Sequence, residues 1–254
     1  MMKTRAPWQG MLTVFRFNWP MYLAATLAML LAISGIILLA APWLKLGCAL
    51  ATAGAAYFIF VSLGVSHLVY DRSDLYRWRW CERVFGKSPP RNIVVCHAGF
   101  DEVSVALQER LAPEACVVLD HYDPALLTEP SIHKARQLFP PTAETLAAPF
   151  DRWPLGDAST DAVFGLLAIH EFRSVEERQR WFAEARRCLR PGGKIVLAEH
   201  LRNPANFLAF GPGFLHFHSA ANWRRCWEQA GLHAADEFPV TPWIRFFVIS
   251  APTP

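Results

Sequence analysis

Two stretches decide the fold: residues 153–170, WPLGDASTDAVFGLLAIH, and residues 189–200, LRPGGKIVLAEH. Residues 161–169 (DAVFGLLAI) form an apolar run with the length of a buried strand. Residues 175–189 place apolar side chains at helical spacing, Arg190-Pro191-Gly192-Gly193 reads as a turn, and residues 194–198 (KIVLA) read as the next strand. The same alternation extends in both directions. Upstream are strands at residues 92–96 (NIVVC), 116–119 and 144–147, with helices at 102–111 and 124–139 between them. Downstream, a helix at 221–230 closed by Gly231 precedes two strand-like runs, 233–238 and 243–249. Short apolar strands alternating with helices imply an α/β fold, a mostly parallel sheet covered on both faces. Two final strands without a helix between them imply an antiparallel edge pair.

The front of the chain has a different composition. The whole has 254 residues, 53% hydrophobic and 19% charged, with mean hydropathy +0.17. That balance excludes a disordered tail or a disulfide-stapled mini-protein. The net charge of +3, without a basic stripe, gives no nucleic-acid footprint. The 28 residues 17–44 and the 25 residues 46–70 contain no Asp, Glu, Lys or Arg. Each exceeds the ~20 residues that a helix needs to cross hydrocarbon. With only Lys45 between them, they predict an antiparallel transmembrane hairpin.

Lys3, Arg5 and Arg16 before the hairpin, and Arg72, Arg77, Arg79, Arg83 and Lys87 after it, place both ends in the cytoplasm. The expected organisation is a cytoplasmic segment 1–18, a hairpin 19–70, a basic Trp-rich connector 71–90 and a domain 91–254. Trp8, Trp19, Tyr22, Trp43, Tyr70, Trp78 and Trp80 are expected at the membrane interfaces. A seam of Ala24, Ala28 and Ala32 against Gly47, Ala51 and Ala55 is expected between the helices. The six cysteines have no C-x-x-C pair and read as reduced core residues.

Ligands of such sheets bind beyond the carboxyl ends of the strands, which directs attention to residues 97–101, 120–123, 150–152, 170–171 and 199–200. There the chain resembles a family. The block Trp153-Pro154-Leu155-Gly156-Asp157-Ala158-Ser159-Thr160-Asp161-Ala162-Val163 resembles the LPF-x-D-x-S-F-D-x-V stretch of small-molecule class I S-adenosylmethionine-dependent methyltransferases. Leu189-Arg190-Pro191-Gly192-Gly193-Lys194 is similar to their L-x-P-G-G turn. The resemblance covers residues 90–250 and implies a Rossmann-like methyltransferase fold with S-adenosylmethionine as cofactor.

The family's D-x-G-x-G-x-G loop falls on residues 95–101, where Gly99 alone of the glycines is kept and Asp101 replaces the last. By resemblance, His97, Gly99 and Asp101 flank the cofactor, and Asp101 has the alternative of capping the next helix. Asp120 accepts the ribose hydroxyls, His121 packs near the adenine, Asp151 accepts from its amino group and Ala168 lines the floor. His170, His200 and His216 are the candidate catalytic bases. The aromatic-rich segment 203–219 reads as a lid over the acceptor. A metal set built on His216-x-His218 with Glu199 or His200 is not expected, because no Cys or Asp pair completes it. The location implies a lipophilic acceptor; the alternative is a repurposed, non-catalytic domain that scaffolds partners at a membrane.

Overall fold

The computed structural model describes residues 6–252; Lys3 and Arg5, used above for orientation, lie outside the described residues. The chain starts with two long antiparallel helices, α1 (Gln9–Leu38) and α2 (Pro42–His67). Each is long and apolar enough to cross a membrane, and only 11% of each apolar window is buried. Core helices of a soluble domain would be mostly covered. The turn lies at residues 39–41 and not at Lys45, which sits in the first turn of α2, because Pro42 supplies a ready-made helix start.

α1 begins at Gln9, well before residue 19. It is kinked at Asn18, two residues before Pro20. Proline has no N–H for the carbonyl of Arg16 four residues earlier, and Lys134 donates to that oxygen instead.

The packing seam is rotated from the expected one. Ala32 is buried in it, but Ala24, Ala28, Gly47 and Ala51 are exposed. The close approach is at Gly35, where a Cβ would lie 2.6 Å from Cys48 Sγ. Tyr22 is buried and its hydroxyl bonds Ser62 Oγ at 2.9 Å, so it is a seam residue and not an interface anchor.

After α2 the chain makes one π-helical turn, Leu68–Arg72. Asp71 in this turn accepts the backbone N–H groups of Gly10 (2.7 Å) and Met11 (3.1 Å) and pairs with His67 Nδ1 at 3.0 Å. One buried carboxylate thus satisfies orphan donors at the start of α1 and fastens both helix ends together. The connector then folds into the domain. Leu75, Trp78 and Trp80, with Cys81 and Val84 of α3 (Trp80–Phe85), are buried against the sheet. Trp78 and Trp80 therefore serve as core residues rather than membrane anchors.

The sheet comprises β1 (Asn92–His97), β2 (Ala115–Asp120), β3 (Leu146–Ala147), β4 (Thr160–Leu166), β5 (Leu189–His200), β6 (His233–Thr241) and β7 (Ile244–Ser250). Its order is β3-β2-β1-β4-β5-β7-β6, and only β7 runs antiparallel to its neighbours. This is the Rossmann-like arrangement that the alternation implied. The Arg190–Gly193 turn is absorbed into β5 as an irregularity: Leu189 pairs with Thr160, and the register resumes at Lys194 opposite Ala162.

One face carries α6 (Val175–Cys188) and α8 (Ala220–Gln229) around Trp181, Phe182, Trp223 and Trp227. The other carries α3 and α4 (Ser104–Leu111). α5 (Pro130–Leu138) is shorter than the expected 124–139 and lies beyond the carboxyl ends of β1 and β2. The expected lid segment folds as α7 (Pro204–Phe210) and a 3-10 stretch, Gly211–His216. All six cysteines are free, and Cys81, Cys96, Cys188 and Cys226 are buried.

Gly10 sets how closely the start of α1 packs on the π-helical turn, since a Cβ there would lie 2.2 Å from Tyr70 Cβ. Gly10→Ala is expected to destabilise the full chain by about 1–3 kcal/mol through overpacking, read as a lower thermal midpoint in detergent. Gly54→Ala, with open space around the new methyl group, should leave the midpoint unchanged.

Candidate functional site

A chamber of about 470 Å³ lies between the inner turns of the hairpin and the carboxyl ends of the central strands. The hairpin contributes Phe17, Met21 and Phe58 among others, and the domain contributes Phe100, Leu167, His170, His200, Phe210, His216 and Phe217. That size suits a small organic molecule. The three candidate catalytic histidines, far apart in sequence, converge here.

β5 ends in Glu199 and His200, side by side but facing different partners. Glu199 is fully buried. Its Oε1 accepts the backbone N–H groups of Ile169 (3.0 Å) and His170 (3.2 Å), and its Oε2 meets His170 Nδ1 at 2.6 Å. The same carboxylate therefore shapes the turn after β4 and orients the imidazole upon it. His170 Nε2 then points to Glu171 Oε1 at 3.4 Å, and Glu171 Oε2 lies 3.6 Å from His216 Nε2. Burial works against a charge on His170, but the Glu199 and Glu171 carboxylates more than offset it, raising the imidazole to about 10. Glu171 is driven well below the usual carboxylate range: burial opposes this, and the neighbouring His170 and His216 imidazoles outweigh it.

His200 is committed on both nitrogens. Nδ1 donates towards Asn206 Oδ1 and the Trp243 carbonyl, both at 3.1 Å, and Nε2 accepts from the Tyr70 hydroxyl at 2.8 Å. Burial pushes it down to about 3. It lines the chamber as a neutral anchor for Tyr70, which corrects its expected role as a base. His218 turns away from His216, its Nε2 meeting Arg178 Nη1 at 2.9 Å, so the His216-x-His218 pair does not form.

Five of the residues assigned to the cofactor by resemblance, His97, Gly99, Asp101, Asp120 and His121, gather elsewhere, around the ends of β1 and β2. Gly99 has φ +96°, a conformation that favours glycine, and donates its N–H to Asp120 Oδ1 at 3.0 Å. Asp120 is buried; Oδ1 also accepts from Tyr122 N at 3.0 Å, and Oδ2 is held by Arg136 of α5. A Cβ on Gly99 would meet Tyr122 Cδ2 at 2.9 Å and Ile132 Cγ2 at 3.0 Å, so protein already covers that face of the loop.

His97 is buried beside Asp120 with neither ring nitrogen hydrogen-bonded. His121 bonds the Ala148 carbonyl at 2.9 Å through Nδ1 and leaves Nε2 unpaired. Asp101 takes the capping alternative, accepting the N–H groups of Val103 (3.0 Å) and Ser104 (2.9 Å) at the start of α4. Asp151 is partly exposed near Arg180, at 3.6 Å, and Ala168 is buried in the turn that Glu199 organises.

Sequence reading missed Tyr70, Arg136 and the anchoring role of Glu199. Tyr70 lies at the end of an apolar run where nothing distinguishes it from an interface residue. Arg136 lies in a helix whose placement depends on the hairpin.

His121, lowered by burial to about 4, and His200, at about 3, stay neutral in the fold. In the unfolded chain both titrate near 6.5. The unfolded state therefore binds more protons from pH 6.5 down towards 4, and stability present above pH 6.5 is lost on acidification. His170, raised in the fold, gives the opposite slope, which lies mostly above pH 6.5 and fades as the unfolded imidazole becomes protonated below it. Each neutral imidazole contributes up to about 1.4 kcal/mol per pH unit. The thermal midpoint should fall from pH 7 to pH 5, and His121→Gln should make that fall shallower.

Comparisons with known proteins agree with this architecture. Residues 98–197 match the family described as "Methyltransferase domain". A SAM-dependent methyltransferase from Aquifex aeolicus superposes with TM-score 0.52 at 17% identity, over 71% of this chain and 94% of its own. A protein from Pyrococcus horikoshii OT3 gives 0.51 at 14%, with the same coverage. The cyclase SpnF gives 0.50 at 11%, over 72% of this chain and 82% of its own. No curated protein sequence matches the chain. At these identities the solved structures establish the fold alone. The sheet from β1 to β7 is a Rossmann-like methyltransferase fold, and residues 98–197 within it match the methyltransferase-domain family.

Proposed function

We propose that the protein is a membrane-anchored S-adenosylmethionine-dependent methyltransferase acting on a small lipophilic acceptor. The observation that carries this reading is the chamber: apolar hairpin side chains form one wall, and the ends of the family's catalytic sheet form the other. Exposed Leu31, Ile37, Leu38, Trp43, Leu50 and Phe60 suit a hydrocarbon surround. Arg72, Arg77, Arg79, Arg83 and Lys87 follow the second helix, and only Lys45 lies near the turn, which supports a cytoplasmic domain.

The chemistry around Asp120 suits a nucleoside. Its carboxylate sits where a ribose is held in such sheets, and three ring nitrogens of His97 and His121 without a hydrogen-bond partner lie nearby. The space, however, is taken by Tyr122, Ile132 and Arg136, so binding requires these side chains of the α5 region to yield. S-Adenosylmethionine, when bound, supplies an electrophilic methyl group. Asp120 and the N–H of Gly99 would hold its nucleoside end.

The remaining work falls to the chamber. Phe100, Leu167, Phe210 and Phe217 exclude water, while His170 and His216 offer the polar end against which an acceptor atom is aligned. Alignment supplies much of the rate of an in-line displacement. The same occupancy of Asp120 by Arg136 favours a second reading, a domain of this fold that no longer takes the cofactor and serves as a membrane-bound scaffold.

Calorimetric titration of S-adenosylmethionine and S-adenosylhomocysteine into the full chain in detergent separates the two. Saturable binding is expected, weakened about ten- to a hundredfold by Asp120→Asn through loss of hydrogen bonds to a charged group. Arg136→Ala should strengthen it severalfold by freeing Oδ2. Absence of binding in both the folded wild type and Arg136→Ala would favour the scaffold.

A further inference from the structure

The chamber floor contains a cluster that neither the cofactor region nor the hairpin explains. His170 Nε2, a Glu171 carboxylate oxygen and a His216 nitrogen can be chosen within 4.8 Å of one another. Two ligands ~2.05 Å from a tetrahedral ion lie about 3.3 Å apart. His170 Nε2 lies 3.4 Å from Glu171 Oε1 and His216 Nε2 lies 3.6 Å from Glu171 Oε2, so each imidazole approaches its own oxygen of the shared carboxylate at close to that spacing.

A carboxylate behind the first imidazole strengthens the case. Metal-ligating histidines give their second nitrogen to a carboxylate, which fixes the ring and raises its basicity. Glu199 does this for His170 at 2.6 Å, from a fully buried position. Glu171 Oε2 is buried without a hydrogen-bond partner. His216 Nδ1 faces Glu129 at 3.8 Å and the Arg173 guanidinium at 3.3 Å, and Arg173 also bonds the His216 carbonyl at 2.6 Å. Three carboxylates and one guanidinium surround the two imidazoles.

We propose that His170, Glu171 and His216 bind a divalent first-row transition-metal ion at the floor of the chamber, with Glu199 holding His170 in its ligating orientation. Two imidazoles and one carboxylate, without a thiolate, select ions such as Fe²⁺, Co²⁺ or Zn²⁺ over Mg²⁺ and Ca²⁺. Because His170 and His216 line the chamber, the ion's open positions face it and would take an oxygen atom of the molecule held there. The site stands independently of whether the region around Asp120 takes a nucleoside. It also differs from the His216-x-His218 arrangement rejected on sequence, since its third ligand is the residue after His170.

The test is titration of cobalt(II) chloride into the full chain in detergent, after chelator treatment and desalting. Visible absorption bands report coordination, and zinc chloride competition measures affinity. The expected result is one saturable ion per chain, with Glu171→Gln and His216→Ala each weakening binding at least about tenfold. His233→Ala, an exposed histidine on the far edge strand, should bind as the wild type. Circular dichroism checks that each variant is folded. No saturable binding by the wild type, unchanged affinity in either ligand variant, or equal weakening by His233→Ala would overturn the proposal.

Discussion

The placement of the hairpin depends on one turn of π-helix, Leu68–Arg72, whose neighbouring side chains Tyr70 and Asp71 bind in different directions. Asp71, fully buried, accepts the first free N–H groups of α1 and pairs with His67. Tyr70 donates to His200 at the end of β5. The first set of bonds closes the hairpin at its inner end, and the second docks that end over the sheet. An extra residue per turn, the feature that defines a π segment, rotates these two side chains relative to a regular helix. The chamber exists because of this junction: its roof is hairpin, and its floor is the ends of β4 and β5.

The same hairpin reaches the region around Asp120. Phe17 on α1 packs against Phe100, after β1, and Phe139, after α5, with ring centroids 5.4 and 6.4 Å apart. Lys134 of α5 takes the Arg16 carbonyl that Pro20 leaves unpaired and lies over Trp19, 5.6 Å from its ring. α5 is thereby drawn towards α1, and Arg136 and Ile132 on it are brought over Asp120 and Gly99. Occupation of the nucleoside region and attachment to the hairpin are two aspects of one packing arrangement.

The sheet was legible in the sequence because its strands are near-continuous apolar runs and its turns carry Pro and Gly at the expected intervals. The mostly parallel sheet, its antiparallel edge pair and the free, mostly buried cysteines follow from those local signals. The seam of the hairpin was misread because small residues recur on more than one helical face, and only the Gly35–Cys48 approach selects among them. The three histidines were identified as candidates from their positions at strand ends. Their division of labour was not legible, since it depends on Tyr70 reaching His200 across 130 residues and Glu199 reaching His170 across 29. Trp78 and Trp80 show the same limit: beside an apolar run they read as membrane anchors, and only tertiary packing makes them core. Asp101 and Asp120 were chosen for their family positions, and local capping or a cation from α5 now engages them.

The most direct measurement of this account is photo-crosslinking from α1 in the full chain, reconstituted in lipid, with benzoylphenylalanine in place of Phe17. Contact between the hairpin and the methyltransferase-fold domain predicts intramolecular crosslinks to the peptides containing Phe100 or Phe139, identified by mass spectrometry after digestion. Adducts with lipid alone would contradict it, because the hairpin would then stand apart from the domain and the chamber would have no roof.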